Sequence, residues 1–103
     1  MKIIEEGHVY SLENFEGDGS SQEISFIKKA PVSPDSLDLE TIINGTTNEE
    51  VLKVLINRIQ FLNNKFPCRE NSLVITKLEE SLMWLEKRTA DRKSRGVEGQ
   101  DKV

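Results

Sequence analysis

Polar and apolar residues alternate in two short stretches near the N-terminus, residues 8–12 (HVYSL) and residues 23–27 (EISFI). Alternation sends successive side chains to opposite faces, so each stretch predicts a strand with one covered face. The sequence GDGSS at residues 17–21 supplies the turn between them, and a shorter strand signal falls at residues 37–43. Two paired strands are marginal in water, so this sheet must lie against helices or against another chain.

The period then changes. Pro31 and Pro34, in APVSPDS, interrupt regular structure and mark residues 31–46 as a linker. Thr47 followed by Glu50 has capping-box spacing, in which hydroxyl and carboxylate satisfy the first exposed amides, and Gly45 turns the chain just before. A helix therefore starts at about Thr47. Its apolar positions Val51, Leu52, Val54, Leu55, Ile56, Ile59, Phe61, Leu62 and Phe66 wrap well beyond the usual stripe of about 100°, more than one partner helix can cover. Lys65-Phe66-Pro67-Cys68 breaks this helix, because the residue before a proline is pushed out of helical geometry, while the proline itself suits the first turn of a second helix.

That second helix runs from about Cys68 to Arg95, with Leu73, Ile75, Leu78, Leu82, Met83, Trp84 and Leu85 as its apolar positions and Gly96 placed for a left-handed C-terminal cap. At 1.5 Å per residue it spans roughly 40 Å against roughly 30 Å for the first, so its C-terminal end overhangs and carries arginines. Residues 96–103 follow as a frayed tail. The predicted fold is α+β: one domain over residues 1–103, with a small N-terminal antiparallel β-sheet (1–30), a linker (31–46) and a long antiparallel two-helix hairpin (47–95), built into an oligomer.

Composition narrows the functional classes. A chain of 103 residues buries only about two-thirds of its unfolded surface, so self-association adds stability. The single cysteine, Cys68, forms no intrachain disulfide, no apolar run approaches the roughly 20 residues of a membrane span, and MKIIEE carries two glutamates where a secretion leader is apolar. These features point to a reducing cytoplasm and to no membrane partner. Net charge is −4, but residues 1–50 hold 11 acids and 3 bases while residues 51–103 hold 7 acids and 11 bases. An acidic total argues against DNA or RNA as partner, and the basic second half leaves room for a small anionic ligand.

Arg88, Arg92 and Arg95 fall at i, i+4 and i+7 and share a helix face, flanked by Lys87 and Lys93, an arrangement suited to phosphate. The same cations also complement a helix C-terminus, and Asp91 stands at four-residue spacing from Lys87 and Arg95, so spacing alone favours a plain solvated face. Phe61 lies just before the inter-helix turn and Asn71 just after it. An aromatic face and an amide at one end of the hairpin suit a nucleobase, although both residues also fit packing roles. Asn71 and Arg88 lie 17 residues apart on one helix, roughly 25 Å, so one small ligand cannot bridge them within a chain. Either two sites exist, or a second antiparallel chain brings the groups together. Trp84 and Met83 read as core or interface. No Cys or His cluster joins His8 to suggest a metal site, Cys68 has no histidine near it, and Glu70, Glu79, Glu80 and Glu86 read as a solvated face. No phosphate loop or nucleophile motif is present, so no cofactor is called for and the chain does not read as an enzyme.

CREN at residues 68–71, TKLEESLMWLEKRTADR at residues 76–92 and RGVEG at residues 95–99 resemble the helical hairpin shared by phage immune-evasion sponges, the Thoeris anti-defence sponge and the anti-CBASS cyclic-dinucleotide sponge. The N-terminal strands followed by NGTTNEEVL are similar to the Thoeris branch, since the anti-CBASS branch has a hairpin without a sheet. The resemblance covers nearly the whole chain, most specifically residues 44–99. It implies a host-cytoplasmic protein that binds a bacterial second messenger and withholds it without cleavage. Glycocyclic ADP-ribose isomers are implied at a pocket using Phe61 and Asn71. Cyclic di- and trinucleotides are implied at a second site using Arg88 and Arg92, with Thr89 adding a hydroxyl. The family's homo-oligomers, dimers built into hexamers, fit the apolar excess of the first helix. The short segment at residues 31–36 leaves any family contact there without a counterpart, so the phosphate partners of the pocket stay incomplete. Two readings compete with sequestration: a hydrolase, which needs a base or metal the sequence does not display, and an oligomeric phage structural or adaptor protein with no small ligand.

Overall fold

Five short strands precede two long helices in the computed structural model, which describes all 103 residues. Strands β1 (Lys2–Glu5), β2 (Val9–Glu13) and β3 (Ser21–Ser25) form an antiparallel meander in the order β1-β2-β3, and β4 (Lys28–Pro31) pairs with β5 (Leu39–Ile43) in a separate two-stranded sheet. Helices α1 (Asn48–Lys65) and α2 (Arg69–Ser94) follow. The α+β expectation holds, with small antiparallel sheets first and two helices after. The chain divides into two compact units, residues 1–47 with 99–103, and residues 48–98.

In the first unit, the turn from β1 to β2 is closed by the His8 N–H donating to the Glu5 carbonyl at 3.0 Å. Gly7 takes its third position at φ 79°, a conformation strained for any side chain. Val9 is buried, and Tyr10 meets Phe26 edge to face at 5.9 Å. The expected loop at residues 17–21 is present and held by its own side chains: Asp18 accepts from the Ser20 backbone and hydroxyl, and Asn14 bridges Ser20 and Gln22.

The linker expectation for residues 31–46 is corrected in part, because that segment carries the end of β4, the turn that follows it and all of β5. Pro34 does not break a hairpin but builds one: it takes the second position of a turn closed by the Ser36 N–H donating to the Ser33 carbonyl at 3.1 Å, where the ring's fixed φ is an advantage. Pro31 ends β4, and in a two-stranded sheet its missing N–H leaves no inner partner unsatisfied. The strand signal at residues 37–43 is real and shorter, as β5. Strand β1 was not expected at all.

After β5 the chain crosses back. Thr46 pairs with Phe26 in a parallel bridge, its N–H donating to the Ser25 carbonyl and its carbonyl accepting from Ile27, both at 2.8 Å. Gly45 makes this approach possible. A Cβ there would stand 2.3 Å from the Ser25 carbonyl oxygen and 2.6 Å from the Phe26 carbonyl carbon. The frayed-tail expectation is corrected too: Gln100 bridges Asp38, and the Asp101 N–H donates to the Leu37 carbonyl at 3.1 Å.

The second unit is the hairpin. Helix α1 starts one residue after Thr47 and places Glu49 and Glu50 in its first turn, where negative charge complements exposed amides. Helix α2 follows the expected bounds, with Cys68 as N-cap and Arg95 as C-cap. With 26 residues against 18, α2 outlasts its partner. Neither helix buries an apolar side chain. Val54, Phe61, Phe66, Leu73, Met83 and Trp84 are all about half exposed or more. Trp84, expected as core or interface, is therefore not core within the chain. No helix is long and apolar enough to cross a membrane.

Candidate functional site

The turn end of the hairpin is set by one side chain. Asn63, near the end of α1, accepts the Cys68 N–H at 3.0 Å and donates from its amide to the Ser72 hydroxyl at 3.3 Å. Cys68 then caps α2 with its thiol, which accepts the Asn71 N–H at 3.4 Å. The Asn71 backbone is thus fixed by the cap, and its side chain is half buried. Phe61 is 52% exposed, with the Lys65 ammonium over its ring at 4.8 Å.

Beside Phe61 runs a shallow groove of about 480 Å³, lined from α1 alone by Lys53, Val54, Asn57, Arg58 and Phe61. Asn71 is not in its wall. One chain therefore supplies an exposed aromatic ring with Lys65 over it and Arg58 in the same groove, without Asn71 in that groove's wall. Lys65 and Arg58 escaped the sequence reading, because helical cations without a motif look like solvated surface. The ring contact and the groove give them a place.

The other end of α2 is organised around Arg92. The Gly96 N–H donates to the Lys93 carbonyl at 3.1 Å and the Val97 N–H to the Arg92 carbonyl at 3.0 Å, with Gly96 at φ 72°. This crossed pair is the Schellman ending expected of a glycine at this position. The Arg92 side chain folds into the same loop: its Nη2 donates to the Val97 carbonyl at 2.9 Å and its Nε to Glu98 Oε2 at 3.2 Å. Arg92 is only 8% exposed, and Val97 above it is 6% exposed. Arg95 pairs with Asp91 at 3.0 Å, as four-residue spacing suggests. Arg88 is exposed, and Thr89 is half buried. The three arginines that share a face in the periodic pattern therefore occupy three different environments. Glu98 and Val97 were missed by the sequence reading, which treated everything past Gly96 as tail.

A second groove, between the helices, includes Lys53 and Gln60 of α1 with Glu79 and Glu86 of α2. Asn71 and Arg88 stay roughly 25 Å apart along one continuous helix. The chain does not bring its two groups of candidate residues together. No cluster of three His, Cys, Asp or Glu side chains is arranged to hold a metal ion.

Comparison with known proteins finds a family model that covers the hairpin. A family model described as the Acb2/Tad1 hairpin domain matches residues 22–90, which takes in Phe61, Asn71, Arg88 and Thr89 and stops two residues before Arg92. Thoeris anti-defense 1 of Bacillus phage SBSphiJ7 is 60% identical over 57 residues, 54% of this chain and 40% of that protein. The aligned stretch thus spans well under half of that relative. A match over more than half of the chain, through all of α1 and most of α2, makes this protein a member of the Acb2/Tad1 hairpin family.

Proposed function

We propose that this chain is a phage anti-defence sponge: it binds cyclic nucleotide messengers of bacterial immunity and withholds them from their effectors without cleaving them. The observation that carries the reading is the family match through the whole turn end of the hairpin, together with 60% identity to a protein named for anti-defence against Thoeris. Phe61 and Asn71 serve glycocyclic ADP-ribose isomers, the ring by stacking on the base and the amide by pairing with its edge. The cations beside the ring, Lys65 at 4.8 Å and Arg58 in the groove wall, are suited to the ligand's phosphates. Arg88, Thr89 and Arg92 serve cyclic di- and trinucleotides at the other end. The separation of the two groups supports two sites rather than one. The exposed apolar residues of both helices support an assembly of dimers into a hexamer, which is what lets half-built surfaces become pockets.

The test is to load the protein with a glycocyclic ADP-ribose isomer, remove free ligand, denature the protein and analyse what is released. Intact ligand supports sequestration; only broken-down nucleotide overturns it in favour of a hydrolase. The exposed apolar faces of the hairpin also suit an oligomeric structural or adaptor protein. A thermal-shift panel separates that reading, because a tight ligand raises stability by RT ln(1 + [L]/Kd) whereas an adaptor responds to no nucleotide.

A further inference from the structure

We propose that Glu98 is the resident counter-ion of Arg92, which an incoming phosphate displaces, so that Glu98 sets how tightly the arginine end of α2 holds an anionic ligand. This rests on reading Arg88 and Arg92 as a phosphate site. Two of the contacts that hold the Arg92 guanidinium differ in kind. The bond from Nη2 to the Val97 carbonyl is buried at 2.9 Å and belongs to the helix ending, since Val97 also closes the cap through its own N–H. The bond from Nε to Glu98 Oε2 is longer, at 3.2 Å, and joins a side chain 10% exposed to one that is 42% exposed.

The outer contact is therefore the exchangeable one. A carboxylate oxygen on a guanidinium N–H has the same acceptor chemistry as a phosphate oxygen, and it reaches the group from the solvent side. A single N–H serves one acceptor well, so a phosphate oxygen taking the Nε position must remove Glu98 from it. While Glu98 is there, it also holds the guanidinium in the ligand-competent orientation and neutralises a cation that the fold has largely desolvated. Arg88, exposed one turn earlier, has no such partner to lose. The two arginines thus have distinct tasks: Arg88 is open to an anion at once, and Arg92 joins by exchanging a carboxylate for a phosphate.

The experiment measures binding of 3′,5′-linked cyclic triadenylate to the full chain by calorimetry at two ionic strengths. Glu98→Gln keeps the side chain's size and removes its charge. It is expected to tighten binding about three- to fivefold at low salt, the scale of a partly exposed ion pair, with the gain narrowing as salt rises and screens the pair. Glu98→Asp keeps the charge and stays near the unmodified affinity. Glu86→Gln removes one charge from the same helix without touching the cap, and is expected to change affinity far less. Unchanged or weaker binding by Glu98→Gln, in a protein whose ligand is lost on Arg88→Ala, overturns the proposal and leaves the arginine site standing. Equal tightening by Glu86→Gln reduces the effect to net charge and overturns it too. Failure of the unmodified protein to bind the probe removes the arginine site itself, and the counter-ion role with it.

Discussion

Asn63 spans the hairpin turn: its amide nitrogen donates to the Ser72 hydroxyl at 3.3 Å while its amide oxygen accepts the Cys68 N–H at 3.0 Å. One side chain thus ties the end of α1 to the cap and the first turn of α2. Asn63→Ala removes both bonds and is expected to destabilise the protein by about 1–2 kcal/mol, at about 1 kcal/mol for each neutral hydrogen bond. Asn63→Asp keeps the acceptor and loses the donor, so it should fall between. Urea unfolding at matched protein concentration, followed by helical circular dichroism, reads the order; equal midpoints for all three proteins would sink this account of the turn.

Gly45 is required by space rather than by backbone angle. A methyl group there would meet the Ser25 carbonyl oxygen at 2.3 Å and the Phe26 carbonyl oxygen at 2.7 Å, both fixed backbone atoms. The strand cannot yield without giving up the Thr46 bonds to Ser25 and Ile27. Gly45→Ala should cost about 3 kcal/mol or more, the upper end for overpacking. Hydrogen exchange should show the Thr46 and Ile27 amides losing protection first. Full protection at both would show that the turn adapts.

Which parts of this molecule were legible in its sequence follows from how local the causes are. Both helix bounds and the Gly96 ending are written in neighbouring residues, through Cys68, Pro67 and the glycine itself, and α2 starts and stops within a residue of expectation. Strand β1 and the β4–β5 hairpin are not, because LETII and KKAP gain their identity only by pairing with each other, and a proline at a turn looks the same as a proline in a linker. The candidate site divides the same way. Phe61 and Asn71 are marked by position relative to the turn. The contacts of Arg92 with Val97 and Glu98 come from the chain turning back after the glycine cap, which the period of the helix does not carry.

Glu5 and Lys28 form an ion pair at 2.5 Å, and the Lys28 ammonium, first by its hydrogen bond and then by its charge, holds the Glu5 carboxyl below the usual carboxylate range. A carboxyl lowered in the folded state stabilises above its ordinary pKa, and that contribution is lost as pH falls through the lowered value. Lys28→Met should move Glu5 back toward ordinary titration and flatten the acid-side fall of the thermal midpoint. Carboxyl NMR titration reads the first effect directly. Because the pair is only partly buried, both effects should shrink at high salt. A Glu5 titration that does not move on Lys28→Met would rule the pair out as the cause.

The two-site reading separates by ligand. Phe61→Ala removes the stacking face and should weaken a glycocyclic ADP-ribose isomer by about 1–3 kcal/mol, roughly tenfold or more, while sparing cyclic trinucleotides. Asn71→Ala should act in the same direction, and its loss of side-chain amide leaves the cap intact because the backbone N–H makes that bond. Arg88→Ala should do the reverse. Calorimetric titration of each variant with both ligand classes decides the matter: uniform loss of both ligands in all three variants would contradict separate sites.

Arg92 and Arg88 should also part company in stability, with no ligand present. Arg92 is nearly buried and its guanidinium closes the end of α2 onto Val97 and Glu98, so Arg92→Ala strands a buried carbonyl and opens the cap. Hydrogen bonds to a charged group are worth about 1.5–3 kcal/mol each, and the loss should be of that order. Arg88 is exposed and takes no part in the ending, so Arg88→Ala should stay within about 0.5 kcal/mol of the unmodified protein, the usual range for open surface. Two consequences follow for reading binding data. Weak cyclic-nucleotide binding by Arg92→Ala mixes a lost contact with a loosened helix end, whereas the same loss on Arg88→Ala reports the contact alone. Arg92→Lys separates the parts, since one ammonium cannot serve the Val97 carbonyl and Glu98 in the geometry of a planar fork, and it should recover charge without recovering the cap. Thermal unfolding of the three variants without ligand is the measurement. Equal midpoints for Arg88→Ala and Arg92→Ala would mean that the guanidinium contacts at Val97 and Glu98 contribute nothing to the fold.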